Sequence, residues 1–125
     1  MSKTLLIPSG QQSSAWETYQ QCRNYIEGHY LELHSATEIV DACHLDPAYL
    51  SRLFKRFSQE RPYQLLMRYK MQRAAELLVS SGQLIKQVAQ TVGFTDAHHF
   101  SRVFKKHYQL SPEAFVKRDH RQAHR

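Results

Sequence analysis

Two short stretches of this chain place the same chemistry at the same offsets. LSRLFKR (50–56) and FSRVFKK (100–106) each set a serine, an arginine and a pair of cations around an apolar spine. An arginine guanidinium offers parallel N–H donors that fit a phosphate, or the O6 and N7 edge of guanine. A lysine ammonium is a compact point charge suited to phosphate. Little else in the chain promises reaction chemistry. The eight histidines include no HExxH spacing, and His98 and His99, being adjacent, diverge on a helix. Cys43-His44 has no further ligands nearby, and no GxSxG, phosphate loop or paired carboxylates appear. The residues point to anion or nucleic-acid recognition and not to an enzyme, with no cofactor and no metal.

Charge supports this direction. The formal net charge is +6, and it is unevenly spread. Residues 1–34 hold two cations and three acids, whereas residues 35–125 hold fifteen cations and eight acids. A basic surface of this kind is the electrostatic footprint of phosphate binding, although a basic protein can also be merely soluble. Fourteen aromatic residues and 42% apolar content suffice for a core. No apolar run reaches membrane-spanning length and no signal peptide opens the chain. Cys22 and Cys43 have neither ligand-like nor disulfide-like spacing, which fits a reducing, cytoplasmic setting.

The elements that would position these cations are helical. Residues 1–13 read as a flexible leader or linker remnant. Trp16, Tyr19, Arg23, Ile26, Tyr30 and Leu33 then step down one face of a first helix, with Arg23 the one polar break. Ser35-Ala-Thr-Glu38 is a capping box that opens a short helix to about Cys43. Asp46-Pro47 reads as an N-cap followed by proline at the first helical position, opening a helix to about Ser58. Pro62 starts a long helix with Leu65, Leu66, Tyr69, Ala74, Leu77 and Leu78 as its buried stripe, stopped at Ser80-Ser81-Gly82. Over 62–80 it would be roughly 28 Å long at about 1.5 Å per residue. Ile85, Val88, Ala89 and Val92 form another short helix ending at Gly93-Phe94; Thr95 or Asp96 caps the next, to about Tyr108. Ser111-Pro112-Glu113 opens a last short helix, and 119–125 read as a polar tail.

The repeat is longer than seven residues. YLSRLFKRFSQERP (49–62) aligns without gaps to HFSRVFKKHYQLSP (99–112), and each follows a short apolar helix and a tight turn. Each copy is therefore a helix-turn-helix, over about 35–58 and about 85–108. Leu50, Leu53, Phe54 and Phe57, like Phe100, Val103, Phe104 and His107, lie at i, i+3, i+4 and i+7 and dock the longer helix on its partner. The opposite faces carry Ser51, Arg52, Lys55 and Arg56 in one copy, and Ser101, Arg102, Lys105 and Lys106 in the other. A solvated charge run explains one such face more easily than it explains the same face twice.

GFTDAHHFSRVFKKHYQLSPEAF (93–115) resembles the signature GFsdxsyFsrxFKkxxGxSPxxy of the AraC/XylS family DNA-binding domain. RYKMQRAAELL (68–78) resembles that family's RlxxAxxLL segment, and the likeness covers about residues 20–118. It implies an all-α module of about seven helices within residues 14–118, in which the 62–80 helix joins two helix-turn-helix subdomains. The recognition helices would enter successive major grooves of double-stranded DNA, which recur every ~34 Å along one face of the duplex. By position in the motif, the base-contacting residues would be Ala48, Ser51, Arg52, Ala97, His98, His99, Ser101 and Arg102. Lys55, Arg56, Lys105 and Lys106 would meet phosphate, as would the amides and hydroxyl at Ser35. The resemblance further implies a bacterial, cytoplasmic transcription regulator, an activator or a repressor, that works with RNA polymerase. The family includes stand-alone two-unit proteins and longer ones whose N-terminal effector or dimerisation domain would be missing from this chain.

Three departures from the family pattern carry physical consequences. Gln59 and Gln109 stand where glycine usually follows each recognition helix, so a left-handed residue there would be strained. His44 occupies the turn position that Gly93 holds in the second copy. Val40 replaces the small residue that Ala89 keeps at the inter-helix contact. The alternative to a DNA reader is a basic helical module that binds an acidic protein partner.

Overall fold

The computed structural model describes residues 14–123, and within them the chain forms seven α-helices and no strand. These are α1 (Ala15–His29), α2 (Ala36–Cys43), α3 (Pro47–Phe57), α4 (Pro62–Ser80), α5 (Ile85–Thr91), α6 (Ala97–Tyr108) and α7 (Pro112–Ala123). The leader expected over 1–13 lies outside the described residues.

Polar caps in the sequence set most of the helix starts. Ser14 and Glu17 form a reciprocal capping box on α1, with bonds of 3.0 and 3.1 Å. The box expected at Ser35 is only half formed. Ser35 Oγ accepts the Glu38 amide at 3.1 Å, but Glu38 Oε1 accepts the His34 amide at 2.8 Å. The amides of Ser35 and His34 both precede the helical ladder and need an acceptor, and the carboxylate takes the outer one, that of His34. Asp46 accepts the amides of Ala48 and Tyr49 with Pro47 at the first helical position, and Asp96 accepts that of His98 at 2.8 Å.

The helix ends accept the strain that the missing glycines impose. His44, Gln59 and Gln109 all adopt left-handed conformations, with φ of 56°, 57° and 66°. Side-chain chemistry offsets part of this at Gln109, whose Nε2 donates to the Lys106 carbonyl at 3.1 Å. Its backbone amide also donates to the Lys105 carbonyl at 2.7 Å. A carbonyl in the last turn of α6 thereby gains a donor that the helix itself cannot supply.

The chain divides into two compact units, and the division falls inside α4, between Met67 and Arg68. In the first unit α1 packs on α3 and α2. Its core includes Tyr19, Cys22, Ile26, Ile39, Cys43, Leu50, Leu53 and Phe54. Tyr19 meets Phe54 edge-on at 4.9 Å, and Trp16 meets Phe57 at 5.2 Å. The buried face of α1 is Thr18, Tyr19, Cys22 and Ile26, so the expected stripe through Arg23 is corrected. Steps of +3 then +4 fit the helical period as well as +4 then +3. The interior takes the thiol and leaves the exposed Arg23 in water.

In the second unit α5 packs on α6, and α6 on α7. Phe104 is fully buried, with Tyr108 at 4.8 Å and Phe115 at 5.3 Å between ring centroids. The polar tail expected from residue 119 is helical as far as Ala123. Asp119 falls on the face of Phe115 and Val116, and Arg121 sits in the last turn, where a cation suits the negative end of the helix dipole. On α4, Leu65, Leu66, Met71, Ala74 and Leu78 are buried as the apolar period requires, while Tyr69 and Leu77 are only half-buried. Lys70 is buried among them, 1% exposed. Arg73 pairs with Glu76 at 3.0 Å.

Candidate nucleic-acid interface

The matching helices α3 and α6 each begin with a cap that fixes the first turn and end in basic residues. On α3 the inward stripe of Leu50, Leu53 and Phe54 is buried, which at ~100° per residue turns Ala48, Arg52 and Lys55 directly outward. All three are exposed. Tyr49 carries the Arg52 guanidinium over its ring, 5.8 Å from the centroid, and Phe57 carries that of Arg56 at 4.7 Å. Rings so placed limit the wandering of long side chains before any ligand arrives. Arg52, Lys55 and Arg56 also line an open groove of about 540 Å³ beside Ala15, at the start of α1.

Ser51 is exposed but turned to the other flank. It lines a cleft of about 380 Å³ with Ala36 of α2 and with Arg61, Tyr63 and Gln64 at the start of α4. Ser35 stands next to Ala36 at the N-terminus of α2. Its oxygen already accepts the Glu38 amide, so its hydroxyl proton is what it can offer a phosphate. In the first unit, therefore, Ala48, Arg52 and Lys55 share a face, whereas Ser51 and Ser35 belong to its flank.

The second unit repeats the plan with differences. Phe100 and Phe104 are buried, and the outward direction falls to His98, Arg102 and Lys105, all exposed. Lys106 is exposed as well, while Ala97 and Ser101 are half-buried at the edge of the face. The His99 ring, though exposed, meets Phe94 edge-on at 5.2 Å, which steers it back toward the turn. Asp96 has its carboxyl held below the usual range, first by the backbone N–H bonds from His98 and His99 and then by the nearby positive charge of Arg102. The cap is thus ionised at neutral pH.

Two residues lining these faces lie outside the serine, arginine and lysine positions that the repeat singles out. Tyr49 stands three residues before Arg52, and that i, i+3 spacing is the available signal for a ring beneath a guanidinium. Arg61 is exposed at the cleft that also takes Ser51, and its place is decided by the α3–α4 turn. Among the described residues there is no cluster of histidine, cysteine and acidic side chains able to hold a metal. No described helix is long and apolar enough to cross a membrane.

The model of a helix-turn-helix domain matches residues 39–118. The chain is 32% identical over 111 residues to the HTH-type transcriptional regulator YisR of Bacillus subtilis, covering 89% of this chain and 37% of that protein. It is 29% identical over 100 residues to the regulatory protein PocR of Salmonella typhimurium, covering 80% of this chain and 33% of that one. The chain therefore spans about a third of the length of these relatives. Among solved structures it is similar to the C-terminal domain of AraT, a response regulator from Geobacillus stearothermophilus. That match has a TM-score of 0.74 at 30% identity and covers 86% of this chain and 88% of that one.

Proposed function

We propose, for a chain that belongs to the AraC/XylS family of helix-turn-helix transcriptional regulators, that it binds double-stranded DNA sequence-specifically and so controls transcription. In this reading α3 and α6 enter successive major grooves. Arg52 and Arg102 read base edges with help from Ala48, Ser51, Ala97, His98, His99 and Ser101. Lys55, Arg56, Lys105, Lys106 and Ser35 hold phosphates. RNA polymerase is the partner at the promoter. The observation that carries the reading is the matched pair of exposed faces, Arg52 with Lys55 and Arg102 with Lys105, on two helices capped by aspartate in the same way.

Selection of bound duplexes from a random pool tests this, followed by titration of the selected duplex at several salt concentrations. Four phosphate-bound cations predict a slope of log affinity on log salt of about −3 to −4. A recovered consensus of two half-elements is expected alongside it. Salt-sensitive binding with no recovered consensus would reject sequence-specific regulation and favour a basic module that meets an acidic partner.

A further inference from the structure

Lys70 is the one cation of α4 placed wholly inside the protein, 1% exposed, with Met71 and Ala74 buried beside it. Its amino group donates to the carbonyl of Val92 at 2.7 Å, a bond that spans twenty-two residues of sequence. Val92 is the C-terminal cap of α5 and its φ and ψ have left the helix, at −90° and 12°. Its carbonyl is one of those at a helix end that the ladder leaves without an intrahelical donor. Gly93 follows with φ +93°, and then the buried Phe94, which packs against His99 and Phe100 at the start of α6. The bond therefore grips the first residue of the turn that aims α6.

The first unit secures the matching place with different chemistry. Cys43 ends α2 directly before the left-handed His44, as Val92 stands directly before Gly93. There the neighbour is Cys22 of α1, whose buried thiol interacts with the buried thiol of Cys43. In each unit a buried polar group on the preceding helix, twenty-one or twenty-two residues upstream, holds the residue that opens the turn. The grip is on a side chain in the first unit and on the backbone in the second. A backbone grip suits a turn built on glycine, which has no side chain of its own to wedge it in place.

We propose that Lys70 is a positioning residue for DNA recognition by α6: it touches no DNA, and it fixes the α5–α6 turn so that His98 and Arg102 reach base edges in register, with Lys105 at phosphate. This rests on the reading of α6 as a base-reading helix. It also separates Lys70 from every other lysine discussed above, whose contribution would be charge on the surface.

The test uses the full chain and a selected duplex, with a second duplex in which the half-element read by α6 is scrambled. The wild-type protein must first discriminate between the two, and equal binding would overturn the base-reading of α6 itself. Given that discrimination, Lys70→Met is expected to lose about tenfold of it, equivalent to ~1.4 kcal/mol. The salt slope should stay unchanged, because a buried amine releases no counterions. Lys70→Arg, which restores a donor on a long arm, should recover part of the loss. Undiminished discrimination by Lys70→Met overturns the inference, and so does a slope shallower by about one, which would mark an ordinary phosphate contact. Circular dichroism establishes that the variant is folded at the assay temperature. Lys70→Gln, keeping a donor on a shorter arm, carries the same two criteria should the methionine variant not fold.

Discussion

Arg102 and Lys105 stand on one exposed face of α6, three residues apart, yet their expected contributions differ in kind. A guanidinium that pairs with a base edge discriminates among sequences, whereas an ammonium on phosphate attracts all of them. Arg102→Ala is expected to cost ~1–3 kcal/mol on the preferred duplex and to relax preference at one position of the site. Lys105→Ala should weaken all duplexes alike and make the salt slope shallower by about one. Titrations of both variants on preferred and scrambled duplexes check this, and a uniform loss for Arg102→Ala would move that residue to the phosphate group. These residues are legible in the sequence because their type and spacing recur fifty residues apart. Their orientation is not: Ser51 and Arg52 are neighbours in the chain, but one lines the cleft beside α4 and the other lies over Tyr49.

Elements begin where the sequence places a cap and end where the backbone turns left-handed. The second condition is the costly one here, since Gln59 and Gln109 hold φ of 57° and 66° with side chains that disfavour it. Gln59→Gly removes that steric cost but gives the unfolded chain more freedom, leaving a net gain of about 0.5–1 kcal/mol. Thermal denaturation should show a midpoint raised by about 2–5 °C. Gln109→Gly is expected to gain less, because it surrenders the 3.1 Å bond from Nε2 to the Lys106 carbonyl. Equal gains at both positions would show that this bond contributes nothing. The location of both strained ends was readable from the absent glycines, whereas the compensating bond depends on how the last turn of α6 packs.

At the scale of the whole molecule, two cores form on either side of a division inside α4, while α4 itself runs unbroken from Pro62 to Ser80. If one chain reads two half-elements in successive grooves, their spacing on the duplex is as much a part of the site as their bases. Inserting five base pairs between them turns the second half-element to the opposite face. The expected result is a fall to the affinity of a duplex carrying one half-element alone, measured by competition binding. Retention of full affinity would show that the half-elements are engaged independently. The all-helical class, the two helix-turn-helix copies and the basic faces were set by the sequence alone, because apolar period, caps and charge are local properties of consecutive residues. Tertiary structure decided the rest: that α1 buries Cys22 and exposes Arg23, that α7 continues through residue 119, and that Lys70 turns inward to the Val92 carbonyl. Each of those outcomes depends on a partner far away in the chain, and the pattern of neighbours in sequence does not contain it.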